Sequence, residues 1–113
     1  MDLNLEAVNV TNNEEAQQFE ARVNGLRALL TYRRFPGRIV LNHTEVPQPL
    51  EGKGLAAKLA RTALDFARAN HLRVVPLCRY VSMFIRKHAE YHDLVSAEDL
   101  QKILSHFGSA TGQ

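Results

Sequence analysis

The sequence predicts an α/β (α+β) domain with one mixed sheet: an antiparallel N-terminal meander, then helix–strand–helix, then an extra C-terminal helix. Three observations predict it. Residues 19–46 hold short alternating apolar and polar runs separated by turn signals, the mark of hairpin-linked strands. After Pro47 and Pro49 the apolar period lengthens to that of a helix. A short apolar run, Leu72–Leu77, then separates two helical stretches, and a strand returning after a helix adds to the meander in a mixed sheet. A length of 113 residues suits one domain, 1–113, around one core.

The elements follow in order. Leu5 to Val10 reads as a weak edge strand. Phe19 to Val23 alternates apolar and charged residues, and Asn24-Gly25 follows as a hairpin turn whose two residues tolerate positive φ. Leu26 to Phe35 is the next strand, Pro36-Gly37 turns the chain, and Arg38 to Val46 is the third strand of the meander. From Gly54 to Asn70 the apolar residues Leu55, Leu59, Ala63, Leu64 and Ala67 share a face, and Lys58, Arg61, Asp65 and Arg68 share the other, an amphipathic helix of about five turns. Leu72 to Leu77 reads as a buried strand. Val81 to His88 is helical, with Val81, Phe84 and Ile85 on one side. Ser96 caps a last helix, with Asp99 in capping-box position. Leu100, Ile103, Leu104 and Phe107 form its stripe, which packs internally or makes a homodimer contact, and Gly108 stops it. The last five residues, 109–113, read as a frayed end.

Composition narrows the function classes. With 45% apolar and 23% charged residues the chain is not disordered. No apolar run approaches the ~20 residues of a membrane-spanning helix, and the first residues, Met1 to Glu6, lack the basic-then-apolar layout of a secretory signal. The lone cysteine, Cys78, cannot close an internal disulfide and fits a reducing, cytoplasmic setting. His71, His92 and His106 show no metal-ligand spacing, so no metal is expected. Net charge is +2, but residues 51–90 carry eight Lys/Arg against three Asp/Glu. That concentration suits an anionic partner or a solvated helix face.

The segment Val46 to Lys58 is the most informative. A strand ends, Gly52-Lys53-Gly54 turns the chain, and a long helix begins. The first helical N–H groups are unpaired and the helix dipole adds positive character, so a phosphate fits there. Lys53 and Lys58 add charge; a glycine cap with no ligand is the plain alternative. The relaxed dinucleotide fingerprint is met by Gly52, Gly54 and Ala57, but it belongs to a parallel βαβ unit with an acid ending the next strand, and these features are missing. The P-loop pattern is absent.

Glu51-Gly52-Lys53-Gly54-Leu55-Ala56 between a strand and a long helix resembles the coenzyme A pyrophosphate loop of the GNAT superfamily of N-acetyltransferases. Gly54 and Ala56 match its glycine-rich pattern, while Glu51 stands where Gln or Arg is usual. His43 to Pro47, Val75 to Cys78 and His88 to Val95 are similar to the small single-domain branch of that superfamily, with Ala89 in place of a proline. The resemblance spans about residues 5–95 and leaves the helix at about 96–107 outside it.

The resemblance implies acetyl-CoA as cofactor and acetyl transfer to an amine: a small amine, a lysine or a protein N-terminus. It implies that Thr44, Glu45 and Val46 pair with the pantetheine arm. After the Gly52 turn, the N–H groups from Lys53 through Gly54, Leu55 and Ala56 to Ala57 hold the pyrophosphate, with Lys58 adding charge; Lys87 reaches a cofactor phosphate or is a solvated lysine, and Phe84 packs on the pantetheine or is plain core. His43 and Glu45 alternate with Thr44 and share a face, either as a base and its orienting group or as a strand-end ion pair or core hydrogen bond. The tyrosine that many relatives use as leaving-group acid is replaced by Ile85, and neither Tyr80 nor Tyr91 has its spacing. In the branch resembled, the cysteine matching Cys78 is a catalytic candidate, as acetyl acceptor or as acid, helped by Arg79 or the next helix; a buried inert thiol is its alternative. Gly54→Val is expected to weaken coenzyme A binding by filling the pyrophosphate's space. Two other readings compete: a non-catalytic coenzyme A-binding sensor, and a nucleic-acid-binding protein. The second is disfavoured because the basic residues lack interleaved aromatics, so neither nucleic acid nor membrane is expected as a partner.

Overall fold

The computed structural model describes residues 3–108, with side chains through 105. Five strands form one sheet in the order β1 (Val10–Asn13), β2 (Gln18–Val23), β3 (Leu26–Phe35), β4 (Arg38–Glu45), β5 (Arg73–Pro76). All neighbours are antiparallel except β4 and β5. The turns obey the residues that make them: Asn24 and Gly25 take φ of 52° and 79°, and Gly37 takes 78°.

Helices α1 (Leu55–Ala69) and α2 (Arg79–Lys87) cover one face of the sheet, and α3 (Ala97–Gly108) packs on α2. Alternation explains which side chains meet them. Phe19 and Ala21 of β2, Ala28, Leu30 and Tyr32 of β3, Ile39 and Leu41 of β4 and Val74 of β5 are buried together with Leu55, Leu59, Leu64, Val81 and Ile85 of the helices. Each fully buried leucine contributes about 1.5–3 kcal/mol to this core. The molecule measures 40 × 37 × 19 Å, and its thin dimension is that of one sheet and one helix layer. Among the described residues no helix is long and apolar enough to cross a membrane.

The ends of α1 fall where the sequence placed them, at Gly54 and Asn70. His71 takes φ 55° there, and its N–H reaches the Arg68 carbonyl (3.2 Å) while Leu72 N–H reaches Ala67 (2.8 Å), a Schellman closure with histidine in the position glycine usually holds. Ser96 Oγ accepts the Asp99 N–H at 3.0 Å, as its capping position predicts. Leu100 and Ile103 turn inward, and Leu104 is exposed. Phe107 and the tail beyond Gly108 lie outside the described side chains and residues.

Three expectations are corrected. Residues 5–10 are not a strand: Leu5–Ala7 is a 3-10 turn, started by Asn4 accepting the Glu6 N–H, and the edge strand begins at Val10. Leu5 instead covers the start of α1, where Lys58 Nζ donates to its carbonyl at 2.6 Å. The run after α1 is a strand at the sheet edge and is only partly buried, with Val74 alone of Arg73–Pro76 fully covered. Pro76 has no N–H to offer another strand, and its carbonyl accepts from Ser82 Oγ at 3.0 Å, so this end of the edge offers a further strand neither group. Helix α2 begins two residues early, at Arg79, with Cys78 as its N-cap.

On the face away from the helices, the Glu20 carboxylate accepts from Gln18 Nε2 (2.6 Å) and Asn13 Nδ2 (3.0 Å), with Arg22 and Arg27 each 3.8 Å away. Those amide hydrogen bonds, and then the arginines, hold it below its usual range. A depressed carboxylate stabilises the fold above its unfolded value and loses that contribution as pH falls through the folded one. Glu20→Gln is therefore expected to destabilise the protein by roughly 1–3 kcal/mol at pH 7. It should also flatten the loss of stability below pH ~4. Urea titrations at several pH values measure both, and parallel wild-type and variant curves would remove this role.

Candidate active site

Strand β4 carries the site, and a bulge sets its direction. Tyr32 stands opposite Leu41 but Thr31 stands opposite His43, which leaves Asn42 as an extra residue. Thr31 Oγ1 bonds to the Asn42 side chain there. One extra residue reverses the alternation. Past it, Thr44, opposite buried Leu30, lies on the helix side, and His43 and Glu45 lie on the open side.

The pairing of β4 with β5 ends at Leu41 and Pro76. The Leu41 carbonyl accepts both Leu77 N–H (2.9 Å) and Cys78 N–H (3.0 Å), and there the chain departs into α2. Strand β4 runs on to Glu45 paired with β3 alone. The two strands thus splay, and the backbone of β4 past the bulge turns its other edge to the gap. Across it, Thr44 Oγ1 and the half-buried Cys78 Sγ are 3.2 Å apart.

A turn and a helix N-terminus close the top of the gap. Leu50, fully buried, anchors a 3-10 turn over Gln48–Leu50, while Glu51, Gly52 and Lys53 are exposed. Gly52 and Gly54 take φ of 76° and 89°. Gly54 caps α1 from this left-handed conformation, and a Cβ on it would lie 3.0 Å from Leu5 Cδ2. A side chain at Gly54 therefore strains the backbone and presses on Leu5, so the steric rationale for Gly54→Val gives way to a folding one. The first intrahelical bond is Lys58 N–H to the Gly54 carbonyl (3.1 Å), so the N–H groups of Leu55, Ala56 and Ala57 precede the ladder. They border a cavity of about 250 Å³ lined by Val46, Leu50, Gly52, Ala56, Ala57 and Tyr80, among others. Its donors and dipole suit a pyrophosphate group. A larger hollow of about 420 Å³ lies against β5 between Val75, Leu77, Ser82 and Ile103, and none of the glycine-turn or β4 residues line it.

The remaining sequence candidates divide. His43 Nε2 and Glu45 Oε1 are 3.3 Å apart and both side chains are exposed. Lys53 is exposed on the turn. Lys58 Nζ donates to the carbonyl of Leu5, the residue that lies against Gly54. Phe84 is buried, stacked on His88 at 3.9 Å, and lines neither cavity; its place is the core. Lys87 is exposed in the last turn of α2, the end opposite Cys78. Tyr91 is structural: its hydroxyl donates to Asp65 (2.8 Å) and accepts from Arg61 (3.1 Å).

Tyr80 also stands at this site, although its spacing from Phe84 does not match the family's tyrosine. It stands in the first turn of α2, two residues past Cys78, and lines the cavity beside the glycine turn. Burial, and then Cys78, push its phenol above the usual value near 10, so it keeps its proton at neutral pH. The signal was its place beside the strand end, not its distance from Phe84.

A model of the GCN5-related N-acetyl-transferases matches residues 18–94, from the start of β2 to the end of the 3-10 segment Ala89–Leu94. The chain belongs to the GCN5-related N-acetyltransferase family. Protein NATD1 of Bos taurus is 40% identical over 83 residues, covering 71% of this chain and 74% of that one. Protein NATD1 of Danio rerio is 33% identical over 87 residues, covering 73% and 79%. The solution NMR structure of a GCN5-like protein from Staphylococcus aureus matches with a TM-score of 0.62 at 26% identity, over 78% of this chain and 87% of that one. Helix α3 lies outside the residues that the GCN5-related N-acetyltransferase model matches.

Proposed function

We propose that this family member transfers an acetyl group from acetyl-CoA to an amine. The observation that carries the reading is the continuity of three parts: the unpaired edge of β4, the cavity at the start of α1, and the Thr44–Cys78 contact between them. Bound acetyl-CoA would supply an activated acetyl thioester. The N–H groups of Leu55, Ala56 and Ala57 would hold its pyrophosphate, with Lys53 adding charge. The β4 backbone at Thr44 and Val46 would align the arm, as an added strand aligns on a free edge. Glu45, oriented by His43, would take the proton of an incoming ammonium, because both face the open side where an acceptor can approach. Tyr80 would hold a proton at its phenol oxygen for the departing sulfur.

Isothermal titration with coenzyme A, together with acetyl transfer to a test amine, tests the reading. Micromolar binding and turnover are expected, and binding absent at millimolar cofactor would overturn it. The alternative of a coenzyme A-binding module without turnover draws on Ile85 at the usual acid position. Tyr80 in the cavity lining favours turnover instead. Tyr80→Phe is expected to lower kcat roughly 10- to 100-fold with coenzyme A affinity unchanged. The wild-type rate should fall only beyond the range in which a free phenol ionises, because burial raises the Tyr80 hydroxyl, and the variant should lack that limb. Equal rates and equal pH profiles would leave Tyr80 a packing residue.

A further inference from the structure

The face of the sheet away from α1 and α2 carries an arginine cluster with no use in the site described. Alternation puts Arg33 and Phe35 of β3, Arg38 of β4 and Arg73 of β5 on this face. All four are exposed, and the Arg38 guanidinium lies 4.4 Å over the Phe35 ring. Arg38 and Arg73 are register partners on adjacent strands. Like charges placed directly opposite each other cost stability. Among the described residues, no carboxylate lies within 4.0 Å of Arg33, Arg38 or Arg73, whereas Arg22 and Arg27 on the same face share Glu20. A set of planar cations held together without an internal counter-ion is suited to carboxylates from outside, which guanidinium forks bind in bidentate fashion.

His43 and Glu45 stand on the same face at the other end of β4. From Arg38 to Glu45 the strand spans roughly 20 Å at about 3.3 Å per residue. The geometry points to an acceptor that is a polypeptide with an acidic segment: its amine at the Glu45 end, and carboxylates five to seven residues away on Arg33, Arg38 and Arg73. This rests on the acetyltransferase reading for the position of the amine, and on the arginine cluster alone for the docking. A nucleic acid fits less well. Phe35 is the one aromatic among the cluster and Arg38 already lies on it, so bases find no stacking platform. Glu20 and Glu45 on the same face also oppose a phosphate run.

The test uses two short peptides with a free N-terminal amine, one with glutamates from its fifth residue on and one with glutamines there. Binding is followed by NMR on the full chain without cofactor. The acidic peptide is expected to shift amides of β3, β4 and β5 and to bind at least tenfold more tightly than the neutral one. The double variant Arg38→Glu/Arg73→Glu should remove that preference while coenzyme A affinity stays the same. Arg38→Gln/Arg73→Gln, which adds no new charge, should reduce it by a smaller factor and guards against misfolding of the first. With acetyl-CoA present, the acidic peptide should show the lower KM at equal kcat. Equal binding of the two peptides, or tighter binding of a single-stranded oligonucleotide that the double variant loses, would overturn the proposal. Acidic-peptide binding without acetyl transfer keeps the docking surface and overturns the reading of the amine.

Discussion

Ala56→Glu is expected to bind coenzyme A at least a hundredfold more weakly than the wild type while melting at the same temperature or higher. The two effects come from one place. Ala56 is the second residue of α1, half-exposed, and lines the cavity at the helix start. A carboxylate in the first turn is favourable to the helix itself by about 0.3–1 kcal/mol, because it faces the positive end of the dipole. The same charge would stand where the pyrophosphate is proposed to sit. Two like charges about 5 Å apart repel by roughly 3 kcal/mol at an effective dielectric of 20, and each 1.4 kcal/mol is a factor of ten in affinity. Calorimetry with coenzyme A and a thermal melt read the two quantities separately. Unchanged affinity would take the start of α1 out of cofactor binding. Gly54→Val offers no such separation, since a branched residue at φ 89° against Leu5 disturbs the fold before any ligand arrives.

The same contrast shows how much was legible in the residues. Asn24-Gly25 and the cap at Ser96 carry their conformations in their chemistry, and the sequence placed both. Helix α1 has a strong apolar stripe between a glycine and Asn70-His71, so its bounds were readable to a residue. The bulge was not: Asn42 would sit equally well in a regular strand, and only its pairing with β3 makes it the extra residue. The start of α2 was missed because its first turn, Arg79 and Tyr80, is not part of the apolar stripe of Val81, Phe84 and Ile85. Spacing from Phe84 points away from Tyr80, and it is the first turn of α2 that brings it to the cavity lining. Charge misled in a different way. The excess in residues 51–90 looks like one patch, but Arg61 meets Glu90, Arg68 meets Asp93, and Lys58 meets a carbonyl. The arginines left without carboxylates come partly from the first fifty residues, whose net charge is negative, and the sheet brings Arg38 beside Arg73. A sum along the chain cannot see a register across it.

Cys78→Ala is expected to lower kcat by at least a hundredfold with coenzyme A affinity within a few-fold of wild type. The wild type, incubated with acetyl-CoA alone, should gain the mass of one acetyl group that the variant does not. The thiol lies where the strands part, at the N-cap of α2, 3.2 Å from Thr44 Oγ1 and two residues before Tyr80 of the cavity lining. In the expected sequence, Cys78 Sγ would attack the thioester carbonyl, forming a new carbon–sulfur bond and giving up its thiol proton. The old one would break, and the departing thiolate would take up that proton, relayed through the Tyr80 phenol, which ends the step protonated as it began. An amine deprotonated at Glu45 then attacks the acetyl-cysteine, forming the amide and returning the thiol. The exchange of one thioester for another is close to neutral in energy, so the step gains by moving the acetyl group toward the open face rather than by driving force. Thr44→Val isolates the positioning. It removes the hydroxyl beside Sγ while keeping the strand-favouring shape, and should lower the rate of adduct formation more than the affinity for cofactor. If Cys78→Ala transfers acetyl groups at the wild-type rate, the amine attacks the cofactor directly, and Cys78 with Thr44 only closes the wall of the gap.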